Sequence, residues 1–397
     1  MSKFCLNPYY KPEPAWASGL CAGFTNPDIQ EFHQSLAGYS TTPLIERPAL
    51  SKKLGIRRLY IKDEAHRFGI KAFKPLGASY AIFRYLKAQW ESRFDSHFGI
   101  DAFQDTGKVE RLGAKTFCAA TDGNHGRAVA WTARMLKQRA VIYMPDNTVP
   151  ARIENIETEG GRVVLVNGTF DDCVARCDAD AKIKGWVAIA DTAFEGYIDV
   201  PNNIMAGYST IFHELTPLNT PVKPEVDVVL LQAGVGGFAA AGSWFYTHRY
   251  GKNRPYLICV EPIDSDCCLE SILNGKGEPK ATLGKQMSIM AGLNCGVPSL
   301  TAWPILKDAV HAFIAIEDRY AEEAMRELYF AEGEDESIIS GESGASGLAG
   351  LMALCREEIF KPIRDRMKLS DCSVLVINTE GDTDPENFRR VVSRSSH

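Results

Sequence analysis

Four short stretches of the chain set reactive side chains beside residues that expose backbone amides. In Lys71-Ala72-Phe73-Lys74-Pro75-Leu76-Gly77-Ala78, Lys74 stands directly before a proline suited to the first turn of a helix. An ammonium drawn into an apolar, partly buried place sheds its proton more readily, and the freed amine can condense with an aldehyde to a Schiff base. A solvated lysine ahead of a helix is the plain alternative for this stretch taken alone.

The second stretch, Thr121-Asp122-Gly123-Asn124-His125-Gly126, lies between a predicted strand and a predicted helix. Its two glycines let the chain turn tightly and present amides to an anion such as a carboxylate. Asn124 offers an amide for a ring hydroxyl, and Asp122 offers a base or a partner for a cation. An Asp/Asn cap in an ordinary strand-to-helix turn explains the same letters. His125 reads as a packed or capping histidine, outside the site.

The third, Gln232-Ala233-Gly234-Val235-Gly236-Gly237-Phe238, follows an apolar strand and precedes a helix of small residues. The amides of Gly234, Val235, Gly236, Gly237 and Phe238 converge on a helix N-terminus, which suits a phosphate. Gly234, Gly236 and Ala239 also fit a dinucleotide fingerprint, with Glu261 ending the next strand as its acidic residue, so a nicotinamide oxidoreductase competes at this point. The fourth set is C-terminal. Thr379, in Asn378-Thr379-Glu380-Gly381-Asp382, can exchange a hydrogen bond with a ring nitrogen, and Glu342, in Ser340-Gly341-Glu342-Ser343-Gly344-Ala345, can line a pocket. Helix capping accounts for Glu342 and Ser343 equally well.

The elements that must hold these stretches are legible as an alternation. β-Branched runs at 59–62, 116–119, 141–144, 163–166, 226–231, 257–260 and 374–377 predict strands, and helical spacing predicts helices over 78–90, 126–137, 171–184, 238–250 and 345–359. The fold class is α/β: two interleaved lobes with largely parallel, twisted sheets flanked by helices. We expect a large lobe of residues 1–88 and 198–397 and a small mobile lobe of 89–197. From Asp384 the apolar pattern fades, predicting a surface helical turn and a frayed tail.

Composition narrows the class further. At 397 residues, 45% of them hydrophobic, the chain can bury two moderate cores. The formal charge of -6 comes from 50 acidic and 44 basic residues dispersed without a basic block, which argues against a nucleic-acid partner. No run approaches the roughly 18 apolar residues of a membrane span and the N-terminus has no signal-peptide core, so we expect no membrane partner and a cytoplasmic location. The 11 cysteines show neither paired CxxC nor zinc-finger spacing; buried thiols are expected, and no metal site.

In order and spacing, the lysine stretch, the DGNHG turn, the GVGG loop and the polar residue closing a late strand resemble fold-type II pyridoxal-phosphate enzymes, the tryptophan-synthase-β-like group. The resemblance implies that Lys74 holds the aldehyde of pyridoxal 5'-phosphate, that Asn124 touches its 3-hydroxyl and that Gly234 to Phe238 bind its phosphate. Lys71 departs from the family pattern for the Schiff-base lysine. Within the group, RFGIKAFKPLGASYA, TDGNHGRAVAWTA, DTAFEGY, LLQAGVGGFAAAG, IMAGLNCG, SGESGASGL and NTEGDTD are similar to the diaminopropionate ammonia-lyase family, over Phe32 to about Val392. Asp122 stands where dehydratases and serine racemases of the fold place serine.

That resemblance implies elimination of ammonia from either enantiomer of 2,3-diaminopropionate, giving pyruvate and two ammonia molecules. Lys74 then serves as base on the L face and Asp122 on the D face, while Asp122 and Asp191 attract the substrate's second ammonium. A strand-end cap is the other reading of Asp191. The resemblance also implies a homodimer. A threonine or serine dehydratase, a racemase, a sulfhydrylase, or a cofactor-binding regulator without turnover would share the fold. Cys267, Cys268 and Cys295 bracket a glycine-containing loop, where buried thiols or a loop-locking disulfide are both compatible with the spacing.

Overall fold

A computed structural model describes residues 1–16, 18–121 and 123–393. Two sheets carry the described chain. The larger runs edge to edge as Lys3–Leu6, Ala312–Ile316, Tyr256–Pro262, Val228–Gln232, Ser373–Asn378, Arg58–Asp63 and Leu44–Glu46. Its interior pairs are parallel and its two outermost pairs antiparallel. The smaller is wholly parallel, in the order Arg162–Val166, Arg139–Pro145, Thr116–Ala120 and Val187–Ala188. Every β-branched run singled out above lies in or overlaps one of these strands.

Packing divides the chain into two units, one of Met1–Leu20, Thr41–His66 and Ile211–His397, the other of Cys21–Ser40 and Arg67–Thr210. The expected cut at residue 88 falls inside the continuous helix Lys74–Phe94. Aromatic packing explains why that helix stays whole within the second unit: Phe32 stacks on Phe83 at 4.7 Å and meets Tyr80 edge-on at 5.6 Å.

In the first unit the central strands are buried on both faces, as a parallel sheet covered by helices requires. Val228, Leu230, Ile258, Val260, Ile314 and Val376 form the middle of its core, each fully buried aliphatic side chain contributing about 1.5–3 kcal/mol. The C-terminal helix is longer than the single turn expected, and residues 394–397, where a frayed tail is expected, lie outside the described residues. Pro385–Ser393 is a nine-residue helix whose Phe388 and Val391 are buried, with Phe388 edge-on to Tyr329 at 5.5 Å.

In the second unit, one face of the sheet packs Cys118, Val141 and Tyr143 against Cys173, Cys177 and Ala181 of helix Phe170–Lys184. The start of helix Lys74–Phe94 is fixed by its proline and by a very close crossing. A Cβ on Gly77 would meet Tyr208 Cε1 at 2.5 Å, and one on Gly207 would meet the Leu76 carbonyl oxygen at 2.4 Å. Two glycines thus let the segment that bears Lys74 approach Tyr208 more closely than any side chain permits. Gly207→Ala is expected to cost roughly 1–3 kcal/mol through this clash with backbone; a urea midpoint unchanged from wild type would show that the crossing yields freely.

Candidate active site

Lys74 opens its helix with the side chain about one-fifth exposed, and its Nζ lies 2.7 Å from Asp191 Oδ2. The rings of Phe73 and Tyr208 flank the ammonium at 5.4 and 5.8 Å. The environment is therefore aromatic, as the lysine reading expects, but it also contains a carboxylate, which stabilises the charged amine. Lys71 is exposed, with φ of 61°.

Asp191 follows the short strand Val187–Ala188, and its loop is pinned from two sides. The Tyr197 hydroxyl accepts from Ala190 N at 3.0 Å and donates to Ala188 O at 2.8 Å. His125 Nε2 lies 2.6 Å from Ile189 O. Burial opposes a charge on Asp191, but the Lys74 ammonium, with His125 behind it, overrides that penalty and holds the carboxyl well below the usual carboxylate range. Its Oδ2 is engaged with the Lys74 ammonium.

The Thr121 to Gly126 turn is built around a hydroxyl. Thr121 Oγ1 accepts from Gly123 N at 3.0 Å and Gly126 N at 3.1 Å. Gly123 has φ of 152°, and a Cβ on Gly126 would meet Thr121 Cγ2 at 2.4 Å, so both glycines are required. Asn124 is half-buried at the first position of helix Asn124–Met135. Asp122 lies outside the described residues. His125, read from sequence as merely packed, is buried and turned toward Asp191, with Nδ1 3.9 Å from Oδ2. Burial lowers its pKa while Asp191 partly raises it again. Nothing in the letters of the turn reveals this; its signal is the orientation of the ring.

In the first unit, strand Val228–Gln232 runs through Gly234 to helix Gly237–Tyr250. Gly236 has φ of 93°, a Cβ there would meet Leu306 Cδ1 at 2.7 Å, and one on Gly234 would meet Cys295 Sγ at 2.8 Å. Ala240 N donates to Gly236 O at 2.8 Å, closing the first turn of the helix. The turn before it, where Val235 is the one side chain among residues 234–237, lies at the positive end of a 14-residue helix, a fit for a phosphate.

Thr379 is buried; its hydroxyl accepts from Gln232 Nε2 at 3.1 Å and meets Ser343 O at 3.3 Å. Glu342 is buried and accepts from the Asn387 amide of the C-terminal helix. Glu261, the acidic residue a dinucleotide site would need, is fully buried and accepts from Cys268 N at 2.7 Å and Leu269 N at 2.8 Å. Burial pushes its pKa up to about 8. Glu261 is thus committed to the start of helix Cys267–Leu273, which removes the ribose contact of the nicotinamide reading. Cys267 and Cys268 are buried on that helix, and Cys267 Sγ donates to Gly234 O at 3.5 Å.

A family profile described as "Pyridoxal-phosphate dependent enzyme" matches residues 36–363. Diaminopropionate ammonia-lyase of Salmonella typhimurium is 37% identical over 382 residues, covering 95% of this chain and 94% of that protein. The chain belongs to the diaminopropionate ammonia-lyase family of pyridoxal-phosphate-dependent enzymes. The Escherichia coli relative of the same name is 38% identical over 370 residues, covering 93% of this chain and 91% of that one. A holo crystal structure from E. coli aligns with TM-score 0.86 at 34% identity, covering 99% of this chain and 96% of that chain. Threonine deaminase from Solanum lycopersicum, at 19% identity and TM-score 0.73, shares the fold. Among the described residues no helix is long and apolar enough to cross a membrane.

The depressed Asp191 carboxyl has a consequence for acid stability. Its contribution is complete above the ordinary carboxylate range and is lost as pH falls through the lowered value. Urea midpoints of the wild type are expected to fall more steeply than those of Asp191→Asn below about pH 4. Parallel curves would remove Asp191 from the native charge balance.

Proposed function

We propose that this enzyme eliminates ammonia from both enantiomers of 2,3-diaminopropionate, releasing pyruvate and two ammonia molecules. The observation that carries this reading is the Lys74–Asp191 pair at 2.7 Å, set between two aromatic rings in a chain of this family. By the family resemblance, Lys74 would hold the cofactor aldehyde, Asn124 would take the ring hydroxyl, Thr379 the ring nitrogen and the amides of Gly234 to Phe238 the phosphate, and Glu342 would line the pocket.

Pyridoxal phosphate, when bound, supplies the electron sink that makes the substrate's α-proton acidic. Lys74, once its amine is neutral, removes that proton from the L isomer, and Asp122 removes it from the D isomer. Asp191 and Asp122 attract the β-ammonium, favouring a diamine over a hydroxy amino acid. Departure of the β-amine leaves an unsaturated amine that one water converts to pyruvate and the second ammonia. We also read the enzyme as a cytoplasmic homodimer; the exposure of Leu283 and Met287, at 74% each, supports a covering partner.

Four measurements test this reading. Purified enzyme should absorb in the visible, lose that band on borohydride reduction, and carry the label on Lys74; a label on Lys71 would move the site. Pyruvate should form from both diaminopropionate isomers well ahead of serine and threonine. Asp122→Asn should lower turnover of the D isomer by about 100-fold or more while sparing the L isomer, and equal retention of both would sink the two-base scheme. Light scattering that gives a monomer mass would end the dimer reading.

A further inference from the structure

His125 presents a nitrogen that the roles assigned above leave unused. The ring is 4% exposed, and Nε2 faces the Ile189 carbonyl oxygen at 2.6 Å. A carbonyl has no proton to give, so Nε2 carries the hydrogen and, in the neutral ring, Nδ1 is a bare acceptor. Among the described residues that Nδ1 has no hydrogen-bond partner, although it is buried. What it faces, at 3.9 Å, is Asp191 Oδ2, the same oxygen that holds Lys74 at 2.7 Å. Two acceptors therefore confront each other, an arrangement that becomes favourable only when a proton lies between them.

We propose that Nδ1 of His125 receives the proton that Lys74 must shed to act as a nucleophile and base, with Asp191 as the anion the two cations share in turn. In this transfer an Nζ–H bond breaks and an Nδ1–H bond forms. Lys74 becomes a neutral amine, His125 becomes an imidazolium, and Asp191 stays a carboxylate. The net charge of the three groups is zero before and after, so no new buried charge is created; the positive charge moves from one side of Oδ2 to the other. His125 thus acts on Lys74 through Asp191, as a proton store and not by touching substrate.

Among the described residues, the other side chains cited against the pair do not compete for this proton. Tyr208, beside Lys74, and Tyr197, which pins the Asp191 loop, both have hydroxyls pushed toward the alkaline side by burial and stay neutral near pH 7. Phe73, the other ring against the ammonium, does not titrate. The alternative role for His125, a histidine that only packs the turn onto Ile189, requires the ring to remain neutral whatever happens to Lys74. The inference rests on Lys74 being the reacting amine, but its test can be made without cofactor.

The test is 15N NMR of histidine-labelled apoprotein. In the wild type, His125 is expected as the neutral Nε2–H form at about pH 7, because Lys74 holds the charge. In Lys74→Ala, with Lys74→Met as a second variant should the first fold poorly, His125 should become an imidazolium at about the same pH. Adding Asp191→Asn to either should return it to neutral. A ring that stays neutral in both single variants at about pH 6 overturns the proposal. As a kinetic arm, His125→Gln apoprotein should take up pyridoxal phosphate at least about tenfold more slowly at pH 7 and recover toward the wild-type rate as pH rises. An unchanged rate and pH profile also overturns it. Failure of the wild type to bind the cofactor through Lys74 would count against the proposed function, whereas the NMR result bears on the proton store alone.

Discussion

The site depends on one ion pair. Asp191 keeps its charge in a place where burial would neutralise it, and Lys74 keeps its position because that charge is there. Removing one partner of a buried pair costs roughly 3–5 kcal/mol, less for these side chains because they are 20% and 21% exposed. That partial opening matters for chemistry. A fully enclosed pair would lock the ammonium in place, while a fully solvated one would give Lys74 no orientation. The pair lies between these limits, held firmly enough to be aimed and loosely enough for its proton to be exchanged.

Most of the surrounding structure serves to put those two groups in register. The Lys74 helix can approach Tyr208 only because positions 77 and 207 lack a Cβ. The Asp191 loop is held by Tyr197 from within and by His125 from the neighbouring turn. The same device recurs in the first unit, where Gly234 and Gly236 clear side chains from a helix start. In each case a close backbone approach costs chain entropy on folding, and the return is a polar group or amide aimed at one point.

The readable and unreadable parts of the sequence divide along physical lines. Strands such as Val228–Gln232 and Ser373–Asn378 were legible because burial on both faces demands unbroken apolar runs. Lys3–Leu6, Leu44–Glu46 and Val187–Ala188 were not, since short strands at sheet edges are only half-buried and carry no alternation. Ala312–Ile316 escaped for another reason: two alanines dilute its β-branched signal although every residue is buried. Lys74 and the glycine curve could be found from local spacing. The pairing of Asp191 with Lys74 could not, because 117 residues separate them and only the fold brings them together. Glu261 suited a dinucleotide site by spacing, and only the fold shows it taken up by the amides of Cys268 and Leu269.

The Thr121 to Gly126 turn shows why so few letters can carry so much. A strand that becomes a helix across a hydroxyl-braced turn sends successive side chains in different directions. Asn124 stands half-buried at the open end of the helix, and His125 points back beneath it to Ile189 and Asp191. Adjacent residues therefore serve separate directions without competing for the same space. Because Thr121 Oγ1 ties together the amides on either side of both residues, a shift in one side chain's backbone is transmitted to the other. The placement of Asn124 and the hold on the Asp191 loop are thus governed by one hydroxyl-braced turn.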